Sequence, residues 1–113
     1  MPPILSVRFY CTTTGNEPVR EWLIEQVSVA ARKALGADIK TVQFGWPIGM
    51  PVVRKMEPGL WEVRSNIPEG IARVLFTVVG AEMVLLHGFV KKTQATPKAD
   101  LGLALLRMKE VRA

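Results

Sequence analysis

The residues that could do chemistry are charges set two apart in short β-branched runs. In Leu60–Asn66, Glu62 and Arg64 share one strand face, while Trp61 and Val63 take the other. Arg73 is the only charge in Ile71–Val79, out of phase with Val74, Phe76 and Val78. Arg54 and Lys55 lie on the run before these, and His87, Lys91 and Lys92 close the run after them. One open sheet face can therefore gather Arg54 or Lys55, Glu62, Arg64, Arg73, and His87 or Lys91. Arginine offers a planar donor fork and lysine a point charge, so such a face suits a phosphate backbone. Glu62 among these cations fits either an orienting ion pair or a general base. The same spacing also describes strand charges that only keep an open sheet from aggregating.

His87 sits between Leu85-Leu86 and Gly88-Phe89, an apolar setting in which a hydrogen-bonded core histidine is commoner than a catalytic one. Cys11, in the first apolar run, reads as a small buried hydrophobe. With one cysteine and one histidine, an internal disulfide and a cysteine- or histidine-rich zinc site are both excluded. Gly45–Gly49 lacks the Lys-Ser/Thr of a phosphate-binding P-loop. No metal or cofactor is expected.

These residues need positioning elements. Residues 4–11 are predicted as a strand that ends at Thr12–Gly15. After Pro18 the apolar period becomes helical, with Val19, Trp22, Leu23, Val27 and Ala30 on one face. Helical character extends to Gln43, and Gly36 predicts a break within residues 27–37, giving two helices. Gly45–Pro51 is a loop. Four strand runs follow, Val52–Glu57, Leu60–Asn66, Ile71–Val79 and Met83–Lys91, separated by turns at Pro58-Gly59, Ile67–Gly70 and Gly80–Glu82. Such short turns make an antiparallel meander, because parallel neighbours need longer crossovers. Thr96 as N-cap and Pro97 at the first position open a last helix, with Leu101, Ala104, Leu105 and Met108 as its buried stripe. The class is α+β: a small antiparallel sheet with two N-terminal helices and a C-terminal helix, all expected on one face.

The chain has 113 residues and reads as a single domain over 1–113, too short for a (β/α)8 barrel or a full dinucleotide enzyme. Fifteen Lys+Arg against ten Asp+Glu give +5, which on so small a surface favours an anionic partner. Residues 52–98 hold seven of those cations against four glutamates, so the excess concentrates where the strands are. No apolar run of roughly 18 residues and no signal peptide are visible, so the expectation is a cytoplasmic protein with no membrane partner.

Four blocks carry a resemblance. Gly45-Trp46-Pro47-Ile48-Gly49-Met50-Pro51, then Gly59-Leu60-Trp61-Glu62-Val63-Arg64, then Ala72-Arg73-Val74-Leu75-Phe76 stand in that order. Leu85-Leu86-His87-Gly88-Phe89-Val90-Lys91-Lys92-Thr93-Gln94, with Thr96-Pro97 and a helix, completes them. Together they resemble phage-derived RelE/HigB-like toxins of the RelE/ParE superfamily, over roughly residues 17–110. The resemblance implies the toxin of a type II toxin–antitoxin system, a ribosome-dependent endoribonuclease that cuts mRNA. In that reaction the 2′-hydroxyl attacks the neighbouring phosphate, leaving a 2′,3′-cyclic phosphate and a free 5′-hydroxyl. No metal is required.

By this resemblance Arg64 and Arg73 hold the phosphate and Lys91 joins them, while Glu62 is the candidate base from its placement. Arg54, Lys55, His87, Phe89 and Lys92 are expected to bind RNA, with Phe89 stacking on a base. The implied partners are a helix-turn-helix antitoxin, the ribosome and mRNA. The only tyrosine is Tyr10, in the first strand, so the C-terminal tyrosine of several such toxins has no counterpart. Two other functions compete: a non-enzymatic gyrase inhibitor of the ParE kind, and an inactive remnant that only binds its antitoxin.

Overall fold

The computed structural model describes residues 2–113. In chain order it contains β1 (Ser6–Phe9), α1 (Pro18–Glu25), α2 (Val29–Gly45), β2 (Val53–Glu57), β3 (Leu60–Ile67), β4 (Gly70–Val79), β5 (Glu82–Lys91) and α3 (Lys98–Arg112). The sheet has five strands in the order β1-β5-β4-β3-β2. The fold class is the expected α+β, with β2 through β5 joined as antiparallel hairpins. Gly59 adopts φ +80° in the β2–β3 turn, a conformation that suits glycine. β1 departs from the all-antiparallel expectation, because it lies parallel to β5 at the sheet edge. The chain leaves β1 through α1 and α2, enters at the far edge as β2, and returns strand by strand to meet β1.

The helices end where backbone groups find partners. Pro18 starts α1, and the Glu21 carboxylate accepts the Glu17 backbone N–H at 3.0 Å. Arg32 reaches back from α2 to the Leu23 and Ile24 carbonyls at 2.6 and 3.0 Å, satisfying the end of α1. Ser28 caps α2 by accepting the Ala31 N–H at 3.1 Å. The break therefore falls at residues 26–28, and Gly36 lies inside α2.

Helices cover both sheet faces, which corrects the one-face expectation. Val19 of α1 and Leu35, Ile39 and Val42 of α2 pack with Val63, Val74 and Phe76 in one core. Trp46 seals it, edge-on to Trp61 at 4.9 Å and to Phe76 at 5.6 Å. α3 packs on the opposite face, where Ala104, Leu101 and Leu105 meet Leu60, Leu75 and Leu86. Cys11 is exposed rather than buried, because β1 ends at Phe9 and the chain turns outward.

Two positions test this packing. A Cβ on Gly88 would lie 2.4 Å from the Trp22 ring, so Gly88→Ala is expected to lose about 1–3 kcal/mol of stability in urea denaturation. Tyr10 is buried and its hydroxyl donates to Glu110 near the end of α3 at 2.9 Å. Burial first, then that hydrogen bond and the Glu110 charge, raise its pKa above the ordinary tyrosine value. The folded state thus keeps the proton longer than the unfolded chain. Stability is full below the unfolded value of about 10 and falls as pH rises through it. Tyr10→Phe is expected to remove that alkaline loss, read as thermal midpoints between pH 8 and 11.

Candidate functional site

Cross-strand pairing sets the predicted residues in rows. Arg54 opposes Glu62, Glu62 opposes Leu75, and Leu75 opposes His87. In the next row Arg64 opposes Arg73, which opposes Phe89, and beyond them Ile71 opposes Lys91. All of these lie on the α3 face, since Leu75 and Phe89 belong to its core. Lys55 opposes Trp61 and so points to the α2 face, away from the others.

His87 reaches this face only because β5 is irregular. The register shifts so that Phe76 opposes Leu85 while the preceding Leu75 opposes His87, leaving Leu86 as an extra residue. Leu86 and His87 then both lie on the α3 side. Uninterrupted alternation from Val84 and Leu86 would have sent His87 to the other face.

The expectation of an open sheet face is corrected at its centre. Glu62 and Arg73 are each 0% exposed, so as placed neither side chain can touch a bound RNA. They hold the segment between β5 and α3 instead. Arg73 donates to the Ala95 carbonyl at 2.8 Å and also to that of Thr93. The Thr96 hydroxyl donates to Glu62 Oε2 at 2.7 Å, and so does not cap α3 as predicted. Arg64 Nη2 donates to the backbone and side-chain oxygens of Gln94 at 2.9 and 3.1 Å. Its Nε lies 3.4 Å from Glu62 Oε1, close enough for an ion pair but not aligned as a hydrogen bond. Burial pulls the Arg73 guanidinium below the ordinary arginine value; Glu62 opposes this, while Arg64 and Arg54 add to it. Phe89, 7% exposed, lies beneath His87 and Arg73 rather than free to stack on a base.

What remains at the surface is cationic. Arg54, Lys91 and Lys92 are exposed, and Arg64 lines a shallow pocket of about 210 Å³ with Asn66 and Gln94. Beside this rim a larger cleft of about 570 Å³ opens between α1, β5 and α3, lined by Trp22, His87, Gly88, Lys91, Asp100 and Arg107 among others.

His87 Nε2 lies 2.6 Å from Asp100 Oδ1. The carboxylate can only accept, so Nε2 carries the ring proton and Nδ1 keeps a lone pair in the neutral ring. Among the described residues, the buried side-chain atoms with no partner are Glu62 Oε1 and Arg73 Nε. Nδ1 has no protein partner and is not one of these, so it opens to the cleft. An imidazole with one nitrogen held by a carboxylate and the other free can take up or release a proton at a substrate.

The sequence reading missed Asp100, Arg107 and Trp22. An acidic residue in the first turn of a helix was visible, but its partner was not, because the bulge that turns His87 toward it leaves no local signature. Among the described residues no group of three or more His, Cys, Asp or Glu could hold a metal ion. No helix of these residues is long and apolar enough to cross a membrane.

The buried charges give a direct prediction. Glu62→Gln keeps shape but leaves Arg73 without the charge that opposes its burial. The expected cost is about 3–5 kcal/mol in urea denaturation, with faster amide exchange over residues 93–97. An unchanged midpoint and unchanged exchange would show that the segment is held by other means.

The description of phage-derived, Gp49-like proteins matches residues 22–109 of this chain, taking in α2, the whole meander and most of α3. No curated protein matches the sequence. With well over half its length matched, the chain belongs to the phage-derived Gp49-like family, a toxin-like group within the RelE/toxin–antitoxin proteins.

Proposed function

We propose that the protein is the toxin of a toxin–antitoxin pair and that it cuts mRNA held on the ribosome. The observation that carries this reading is the His87–Asp100 pair. Its free ring nitrogen opens into a cleft that also holds Lys91 and Arg107, next to the Arg54, Arg64 and Lys92 rim. Cleavage through a 2′,3′-cyclic phosphate needs a group to accept the 2′-hydroxyl proton, cations on the crowded phosphate, and a proton for the leaving 5′-oxygen.

His87 Nδ1 serves as the proton acceptor, and Asp100 is a positioning residue that fixes the tautomer. Lys91 and Arg64 meet the phosphate, where cations placed in advance stabilise charge as it develops. Arg107 is partly committed: one of its nitrogens donates to the Leu86 carbonyl at 2.8 Å. Glu62 and Arg73 keep Arg64 and the 93–97 segment in place instead of acting on RNA themselves. The ribosome supplies much of the alignment of the strand.

The test is expression in a bacterial host with mapping of mRNA 5′ ends. Wild type is expected to arrest growth and to produce ends in register with codons. His87→Ala, Arg64→Ala and Lys91→Ala, at matched expression, are expected to lose arrest while unfolding as cooperatively as wild type. For purified protein on programmed ribosomes, His87→Ala should slow cutting by ~10²-fold or more. Asp100→Asn should change the pH dependence of cutting, which loss of packing alone would not do. A fully toxic His87→Ala, or arrest with gyrase trapped on DNA and no new mRNA ends, would overturn the proposal in favour of a binding poison.

A further inference from the structure

α3 also carries an apolar side chain on the side that turns away from the sheet. Ala104 is buried at the centre of its inner face, with Leu101, Leu105, Met108 and Val111 packed beside it. Leu106 points the other way and is 59% exposed. On the same outward side, at successive steps of four residues, stand Lys98, Gly102, Leu106 and Glu110, all exposed. Residues four apart on a helix lie one above the other, so these four form one continuous row. The row runs cation, notch, knob, anion.

Gly102 has no role within the chain. It sits in the interior of a helix, where glycine is the least favourable residue after proline. A Cβ placed there would meet no atom within 4 Å, so no neighbour requires the missing side chain. A glycine on an open helix surface is accounted for when another backbone or side chain comes close. The charges at the two ends of the row are also available. Lys98 has no carboxylate within ion-pair distance among the described residues. Glu110 accepts the Tyr10 hydroxyl on Oε2, which leaves its Oε1 open.

We propose that the protein self-associates through α3 as a twofold dimer, because this row is complementary to itself when reversed. Two copies of α3 lie antiparallel about an axis through the midpoint of the row. Leu106 of each copy enters the gap over Gly102 of the other, and Lys98 of each meets Glu110 of the other. Rows of residues four apart, brought into alignment, cross at roughly 50°, the commonest helix-packing angle in globular proteins. The twofold makes each favourable pair twice. A single helix crossing buries less than the roughly 1,200 Å² of a standard stable interface, so association falls in the micromolar range. Asp100 and Arg107 face the cleft on another side of α3, so dimerisation and the RNA chemistry are separable.

Sedimentation equilibrium of the full chain, from about 5 µM to about 500 µM, is expected to show a mass rising from 12.5 kDa toward twice that value. Leu106→Glu and Gly102→Leu should each weaken dimerisation at least tenfold while unfolding as cooperatively as wild type. Lys98→Glu should weaken it too, and adding Glu110→Lys should restore it. The register is read by air oxidation in a Cys11→Ser background. Gly102→Cys protein mixed with Leu106→Cys protein should form a mixed disulfide in higher yield than either forms with itself. A monomer at every concentration, a dimer indifferent to Leu106→Glu, or self-disulfides in excess of the mixed one would overturn the proposal. So would a chain that stays monomeric but loses binding to a helical antitoxin through Leu106→Glu, which would assign the row to that partner instead.

Discussion

The structure turns on the burial of two opposite charges, Glu62 and Arg73, under the segment that links β5 to α3. A charge taken out of water is costly unless every available partner is used. Here the partners are the carbonyls of Thr93 and Ala95, the Thr96 hydroxyl and the guanidinium of Arg64. That arrangement fixes where β5 ends and where α3 begins. Asp100 sits in the first turn of α3, so the same buried charges determine that a carboxylate arrives beside His87. The two orphaned atoms, Glu62 Oε1 and Arg73 Nε, show that the cluster is satisfied imperfectly. It depends on the segment staying closed over it.

The second constraint is the extra residue in β5. Leu86 fills the α3 core in phase with Val84, and the bulge then brings His87 to the rim of the same layer. Gly88 follows on the other face, where only a missing side chain allows Trp22 to approach. Three consecutive residues thus serve packing, the hydrogen bond to Asp100 and close approach. The end of β1 at this point leaves the adjoining edge open and creates the cleft.

Much of the fold was legible in the sequence because its signals are local. Pro58-Gly59 and Gly80 mark tight turns, the strand runs carry period-two alternation, and Pro97 closes the loop before α3. The face shared by Arg54, Glu62, Arg64 and Arg73 was also legible, since alternation along β3 and β4 sets it. What covers that face was not. Alternation says which way Glu62 points but nothing of the helix and loop that bury it. The parallel pairing of β1, the position of α3 and the His87–Asp100 pair depend on contacts between residues distant in sequence. Cys11 was misplaced for a related reason: its apolar neighbours suggested a strand interior, but the strand ends two residues earlier.

The proposed step is proton transfer by His87, held by Asp100 beside Lys91, in RNA cleavage. Its most direct measurement is the chemistry of the ends left on mRNA by purified protein acting on programmed ribosomes. Wild type is expected to leave 2′,3′-cyclic phosphate and 5′-hydroxyl ends, and folded His87→Ala none above background. Intact mRNA with wild-type protein, or equal yields of cyclic phosphate from the variant, would contradict it.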